Sequence, residues 1–220
     1  MNTSLRHLGH SALFASAAAA LMMASSCATR PPVAEKFPPV TMGTVVTYHR
    51  ISTGSLGNYD GQVVWTFKPG TWQGKPVVWY GAPQAGISLH EPDGLALIAN
   101  LDASGKPLVS FDPPVTYQWP LVVGKQWTST HTYNNLVKGG STQVKFDWKV
   151  ESWGDVTVPA GTFKAYKVVW TTSLGDSESR WIAPADGIQT VKRHVERTPS
   201  HPQGAAVLDA ELLSRVVPAN

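Results

Sequence analysis

Between residues 142 and 151 the chain alternates without a break. Val144, Phe146, Trp148 and Val150 fall on one side, and Lys145, Asp147, Lys149 and Glu151 fall on the other. Successive side chains of an extended strand point to opposite faces, so this segment is a strand with one core face and one wetted face. As a helix it would spread lysine and tryptophan around the whole circumference and bury neither cleanly.

The rest of the chain follows the same grammar of short runs rich in β-branched and aromatic residues, cut by Gly and Pro. Runs at 44–51, 62–67, 76–80, 94–101 and 107–111 stop at clusters such as Ser52-Thr53-Gly54, Pro69-Gly70, Gly81-Ala82-Pro83 and Asp102-Ala103-Ser104-Gly105. These are strand signals with turn punctuation. After residue 151 a turn is expected at Trp153-Gly154-Asp155, then a short run at 156–158. Pro159-Ala160-Gly161 turns the chain into 162–172, and 178–183 and 187–197 follow as strands around Pro184-Ala185-Asp186-Gly187. Residues 205–217 carry helix-forming Ala, Leu and Glu but also alternate with period two, and we read them as a strand. Roughly ten antiparallel strands in one domain predict an all-β fold: a curved sheet, a half-barrel, a barrel or a sandwich.

Composition agrees. The 220 residues include 19 Gly, 17 Pro and nine Trp, and only 15% are charged, against about 25% in a typical soluble domain. One cysteine excludes an internal disulfide and a multi-cysteine metal cluster. The net charge of +3 is spread thinly, so the concentrated basic stripe that nucleic-acid binding needs is missing.

The N-terminus reads as an address. Arg6 precedes an apolar run from residue 11 to 24, which is shorter than the roughly 20 residues a spanning helix needs. A charged start, a short apolar run and then small residues describe a secretory signal peptide. The run ends at Ala24-Ser25-Ser26-Cys27, which resembles the cleavage box of a bacterial lipoprotein, with Ala24 where that box usually has Leu. The alternative is an ordinary cut after Ala28. The lipoprotein resemblance implies residues 1–26 as signal peptide and acylation (palmitate among the chains) on Cys27, holding the protein to a membrane. Ala28 in place of Asp after that cysteine implies the outer membrane, facing the periplasm. Residues 27–40, with Pro31, Pro32, Pro38 and Pro39, are then an extended tether, and 41–220 the β-rich domain.

A second resemblance rests on Val156-Thr157-Val158-Pro159-Ala160-Gly161-Thr162-Phe163, on Trp181-Ile182-Ala183-Pro184 with Gly187 and Val191-Lys192, and on Gly124-Lys125-Gln126-Trp127. Together these resemble a broad, largely uncharacterised group of exported bacterial β-rich proteins. The resemblance covers about residues 120–195 and implies a curved antiparallel sheet in the cell envelope, without implying a reaction. Trp127, Phe163 and Trp181 read as apolar plugs of such a sheet.

Nucleophile elbows, zinc-protease helices, EF-hand loops and phosphate-cradling glycine loops are absent from the sequence. The best polar cluster is His90-Glu91-Pro92-Asp93, with Tyr59-Asp60 as a potential neighbour. It reads either as a solvated turn or as acid–base or metal-binding groups. Glu178 and Arg180, with Lys192, His194 and Glu196, read as the water-facing side of adjacent strands. Trp72 and Trp153, placed in expected turns, are candidates for stacking on a ligand. The sequence therefore points to a non-enzymatic envelope lipoprotein without cofactor, binding an apolar ligand or a partner on a curved sheet. The alternatives are a glycan-binding module using Trp72 and Trp153, and an envelope hydrolase centred on His90, Glu91 and Asp93.

Overall fold

A computed structural model describes residues 33–37, 39–82 and 85–219. The signal peptide, Cys27, Pro31, Pro32 and Pro38 lie outside the described residues. Twelve antiparallel strands follow one another along the described chain: β1 (Val45–Gly54), β2 (Tyr59–Trp72), β3 (Lys75–Ala82), β4 (Gly86–His90), β5 (Leu97–Leu101) and β6 (Pro107–Val115). After them come β7 (Gln126–Asn135), β8 (Ser141–Val158), β9 (Gly161–Thr172), β10 (Asp176–Ala183), β11 (Ile188–Arg197) and β12 (Ala206–Val216). Each strand pairs with its neighbours in sequence, and β12 returns to pair with β1 from Val45↔Val216 to Gly54↔Ala206, closing a barrel. The all-β expectation holds, and of its several shapes the closed one is formed. Closure pairs the last free edges, which would otherwise remain templates for aggregation.

Two local expectations change. No turn forms at Trp153-Gly154-Asp155, because β8 runs on to Val158 with a register shift between Val150 and Ser152. Residues 86–90 and 126–135, not expected as strands, are β4 and β7. The turns that carry the second resemblance are structural. Pro159 and Ala160 join β8 to β9, and Pro184–Asp186 form a single 3₁₀ turn between β10 and β11. That turn is closed by Gly187 at φ 65, ψ 30, whose N–H donates to the Pro184 carbonyl. A left-handed position of this kind costs an L-residue about 1–2 kcal/mol, which explains the glycine.

The barrel has two unlike ends. At one, the N-terminal segment packs in: Ala34 bridges Leu121, and Phe37 is buried 6.4 Å from the Trp119 ring. The C-terminal part of the expected tether is thus docked on the barrel. Phe37, Leu121, Trp127, Tyr166, Ile182 and Ile188 are buried and fill this end. A smaller apolar cluster of Val77, Leu89, Ala99 and Leu101 sits beside the main core, with Trp72 and Trp79 packed on it. The loops at the other end (55–58, 102–106, 136–140, 173–175 and 198–205) ring a mouth.

Outward positions remain wetted, as on β8 with Lys145, Asp147, Lys149 and Glu151, and on β11 with Lys192, His194 and Glu196. A barrel that crosses a bilayer presents an apolar band there. Trp181, expected as a plug, also faces outward, between the Lys167 and Lys192 ammoniums at 5.3 and 5.9 Å from its ring.

Candidate functional site: the barrel lumen

An eight-stranded barrel is just wide enough for its own side chains to fill, and diameter grows with strand number. Twelve strands leave room. Above the packed end a cavity of about 780 Å³ opens to the mouth, lined by inward residues of most of the strands. That volume lies within the range of small-molecule sites.

The walls differ in chemistry. One is aromatic: Phe146 stacks on Trp148 at 5.7 Å, Trp170 leans on both, and Trp65 packs on Tyr80 at 4.8 Å. Tyr80 donates to the Tyr48 hydroxyl at 3.2 Å, and Tyr48 donates to the Thr190 carbonyl at 3.0 Å. Burial pushes both phenols up, Tyr80 well above the ordinary range, so both are neutral donors.

The other wall, from β10 through β11 and β12 to β1, is ionic. On β10 the alternation puts Asp176, Glu178 and Arg180 inside. Glu178 is fully enclosed and bridges two guanidiniums, Arg180 at 2.5 Å and Arg193 at 2.8 Å. Burial alone would raise the Glu178 carboxyl. Arg180 and Arg193 more than offset it and hold the group below its usual value, while Glu178 raises Arg180 against its own desolvation. Nearer the mouth Asp176 pairs with Arg197 at 3.1 Å and with His201 at 3.1 Å. The His201 Nδ1 accepts from the Gln203 N–H, so Nε2 carries the proton toward Asp176. Glu178 and Arg180 are therefore part of the inner wall, not of a solvated face. Alternation separates the two faces of a strand without saying which one turns inward. Lys192, His194 and Glu196 do face water.

The other expected site residues separate. His90 is buried and lines the cavity; its Nδ1–H donates to the Leu95 carbonyl at 2.8 Å, and burial lowers its pKa to about 4. Glu91 and Asp93 are exposed in the 91–96 loop at the packed end. Tyr59 and Asp60 begin β2 at the mouth end, where Asp60 accepts from His49 on the outer face at 2.8 Å. The four polar partners proposed for a hydrolase or metal site thus do not converge on His90.

Trp72 ends β2 and Trp153 lies within β8, six strands apart in either direction around the barrel. Both are partly buried, Trp72 against the small cluster and Trp153 against the main core, with the Lys164 ammonium 5.2 Å from the Trp153 ring. They do not form one stacking platform, and neither lines the cavity.

One serine–histidine pair was not anticipated. Ser129 donates to His131 Nε2 at 2.8 Å, and His131 Nδ1–H donates to the Pro113 carbonyl at 2.7 Å. Trp148 Nε1–H in turn donates to Ser129 at 3.0 Å. A carbonyl stands where an acyl-transfer triad has a carboxylate, and the pair lies outside the cavity lining, so it reads as a hydrogen-bonded part of the wall.

No family model matches the chain, and no curated protein matches it. Among the solved structures similar to it are three bacterial chains. One is described as the hypothetical lipoprotein YmcC of Escherichia coli K12, with 10% identity over 80% of this chain and 85% of that one and a TM-score of 0.41. A Bacteroides fragilis chain described as exported, with a YmcC-like fold, is 12% identical over 83% of this chain and 99% of that one, with a TM-score of 0.45. A Parabacteroides distasonis chain described as a lipoprotein is 13% identical over the same shares, with a TM-score of 0.39.

Proposed function

We propose that this chain is a non-enzymatic binding protein of the cell envelope, anchored through lipid on Cys27, that carries an apolar-bodied small molecule inside its barrel. The observation that supports the reading is the cavity itself: about 780 Å³, walled by Trp and Phe rings and open at one end. The site moves from the sheet face expected from sequence to the lumen, because closure makes the concave face an interior. The chain enters the barrel at the packed end, through Ala34 and Phe37, so the mouth is at the end remote from the N-terminal segment.

The test uses N-phenyl-1-naphthylamine, a neutral fluorophore that brightens in apolar surroundings. We expect saturable 1:1 binding by the wild type, and loss of it in Ala210→Phe, which fills the lumen, with an unchanged far-ultraviolet spectrum. No binding, or binding that Ala210→Phe leaves intact, contradicts the lumen reading. The anchor has its own test: acyl mass on membrane-extracted wild type and none on Cys27→Ser, against an unmodified chain starting near Thr29.

A further inference from the structure

The strand register sets several arginines in one row. Arg50 of β1 pairs with Ala210 of β12, Ala210 pairs with Arg193 of β11, and Arg193 pairs with Arg180 of β10. Arg50, Ala210, Arg193 and Arg180 all line the cavity. Arg50 and Arg193 are two strand spacings apart, about 10 Å at the backbone. The residue between them contributes only a methyl group, so the row carries no long side chain at its centre.

These charges are incompletely matched. Four guanidiniums line the lumen, those of Arg50, Arg180, Arg193 and Arg197, with Lys138 at the mouth, against the carboxylates of Asp176 and Glu178. Glu178 is shared by Arg180 and Arg193, and Asp176 is taken by Arg197. Among the described residues Arg50 has no carboxylate partner. Its Nε donates to Ser52 Oγ at 3.2 Å and its Nη2 to the Leu56 carbonyl at 2.8 Å. The Nε of Arg193 is buried without a partner. Burial lowers the Arg50 guanidinium, and the Arg193 charge lowers it further, which places the two like charges within each other's field. A buried charged donor left unpaired is costly, and such a site favours an anion that fills it.

Resting on the lumen reading above, we infer that the ligand is a single-chain amphiphile whose anionic head, a carboxylate or a phosphate, seats between Arg50 and Arg193 over Ala210, with its apolar body against the aromatic wall. The arrangement answers both halves of such a molecule. Guanidinium forks match carboxylate and phosphate oxygens, and Trp65, Phe146, Trp148 and Trp170 supply surface for a chain.

Calorimetric titration of dodecanoate, dodecyl phosphate, dodecanol and inorganic phosphate separates the possibilities. The wild type is expected to bind both anionic amphiphiles at least about tenfold more tightly than dodecanol, a difference of about 1.4 kcal/mol. Arg50→Gln and Arg193→Gln each remove most of that preference and leave dodecanol binding unchanged. Lys192→Gln, on the outer face beside Arg193, changes nothing. Which of the two anions binds better tells whether the head is a carboxylate or a phosphate. Equal affinity for dodecanol and dodecanoate overturns the anionic head while leaving the lumen site standing. Tight binding of inorganic phosphate alone overturns the amphiphile. If none of the three chains binds, the lumen reading itself fails.

Discussion

Strands β8 and β10 obey the same alternation and spend it differently. β8 turns Val144, Phe146, Trp148 and Val150 inward and leaves its charges in water. β10 turns Asp176, Glu178 and Arg180 inward, and its outward residues include Trp181 between two lysines. The first arrangement is what stability alone favours. The second encloses charges, each of which costs several kcal/mol to desolvate and is recovered only through close partners. A wall built that way is a poor core and a good binding surface, and it lies on the side of the barrel that carries the arginine row. The inner side of a barrel is therefore not one environment: β8 encloses packing, β10 and β11 enclose chemistry.

The sharpest way to break that contrast is to remove a carboxylate from each strand. Glu178→Gln leaves Arg180 and Arg193 without their shared counter-charge and is expected to cost about 3–5 kcal/mol in urea denaturation. Asp147→Asn on β8 loses only exposed contacts to Lys145 and Thr128, screened by water, and is expected to shift the denaturation midpoint far less. Equal costs would mean that the enclosed triad is ordinary surface.

The next effect is the pH dependence of the two histidine environments. His90, inside, titrates near 4 rather than 6.5, so the unfolded chain binds more protons in that window. Stability tied to His90 is complete above about pH 6.5 and falls as pH drops toward 4, by about 3 kcal/mol. His201, lowered by burial, acts in the same direction. His90→Gln should flatten much of the acid slope measured by denaturation between pH 7 and 4.

His194, outside, is raised by its hydrogen bond to Asp209 and by Glu196. Its contribution has the opposite sign. It is present below about pH 6.5 and is lost as pH rises through the folded pKa. Being partly exposed, it gives the smallest effect, a shallow alkaline slope that His194→Asn removes and that salt weakens. An inner and an outer histidine with slopes of the same sign would contradict the assignment of faces.

Much of the fold was legible from the sequence. The β8 alternation named its own inner face, and the Pro159-Ala160-Gly161 and Pro184 to Gly187 turns fell where Pro and Gly chemistry placed them. β4 escaped notice because it has five residues, and β7 because its inward Trp127, His131 and Tyr133 are separated by Thr and Ser that carry little hydrophobic signal. The Trp153-Gly154-Asp155 segment looked like a turn because local composition cannot register a partner strand. β9 continues alongside it, with Gly154 opposite Ala165, and that pairing holds β8 extended.

The site was less legible for a physical reason. Arg50, Arg180 and Arg193 are scattered over more than 140 positions and share a row only through three strand pairings, one of which is the β1–β12 closure. No spacing within a single segment encodes that row. The Glu178 and Arg180 pair was visible in sequence, but its inward facing depends on whether the neighbouring strands place water or a lumen beside it.

The most direct test of the central claim, that the lumen takes an amphiphile by its anionic head, is the anomalous diffraction of crystals grown with 12-bromododecanoate. The account predicts a bromine peak inside the barrel near the aromatic wall, with the carboxylate between Arg50 and Arg193. A bromine bound only outside the barrel, or a lumen holding ordered water alone at saturating ligand, would contradict it.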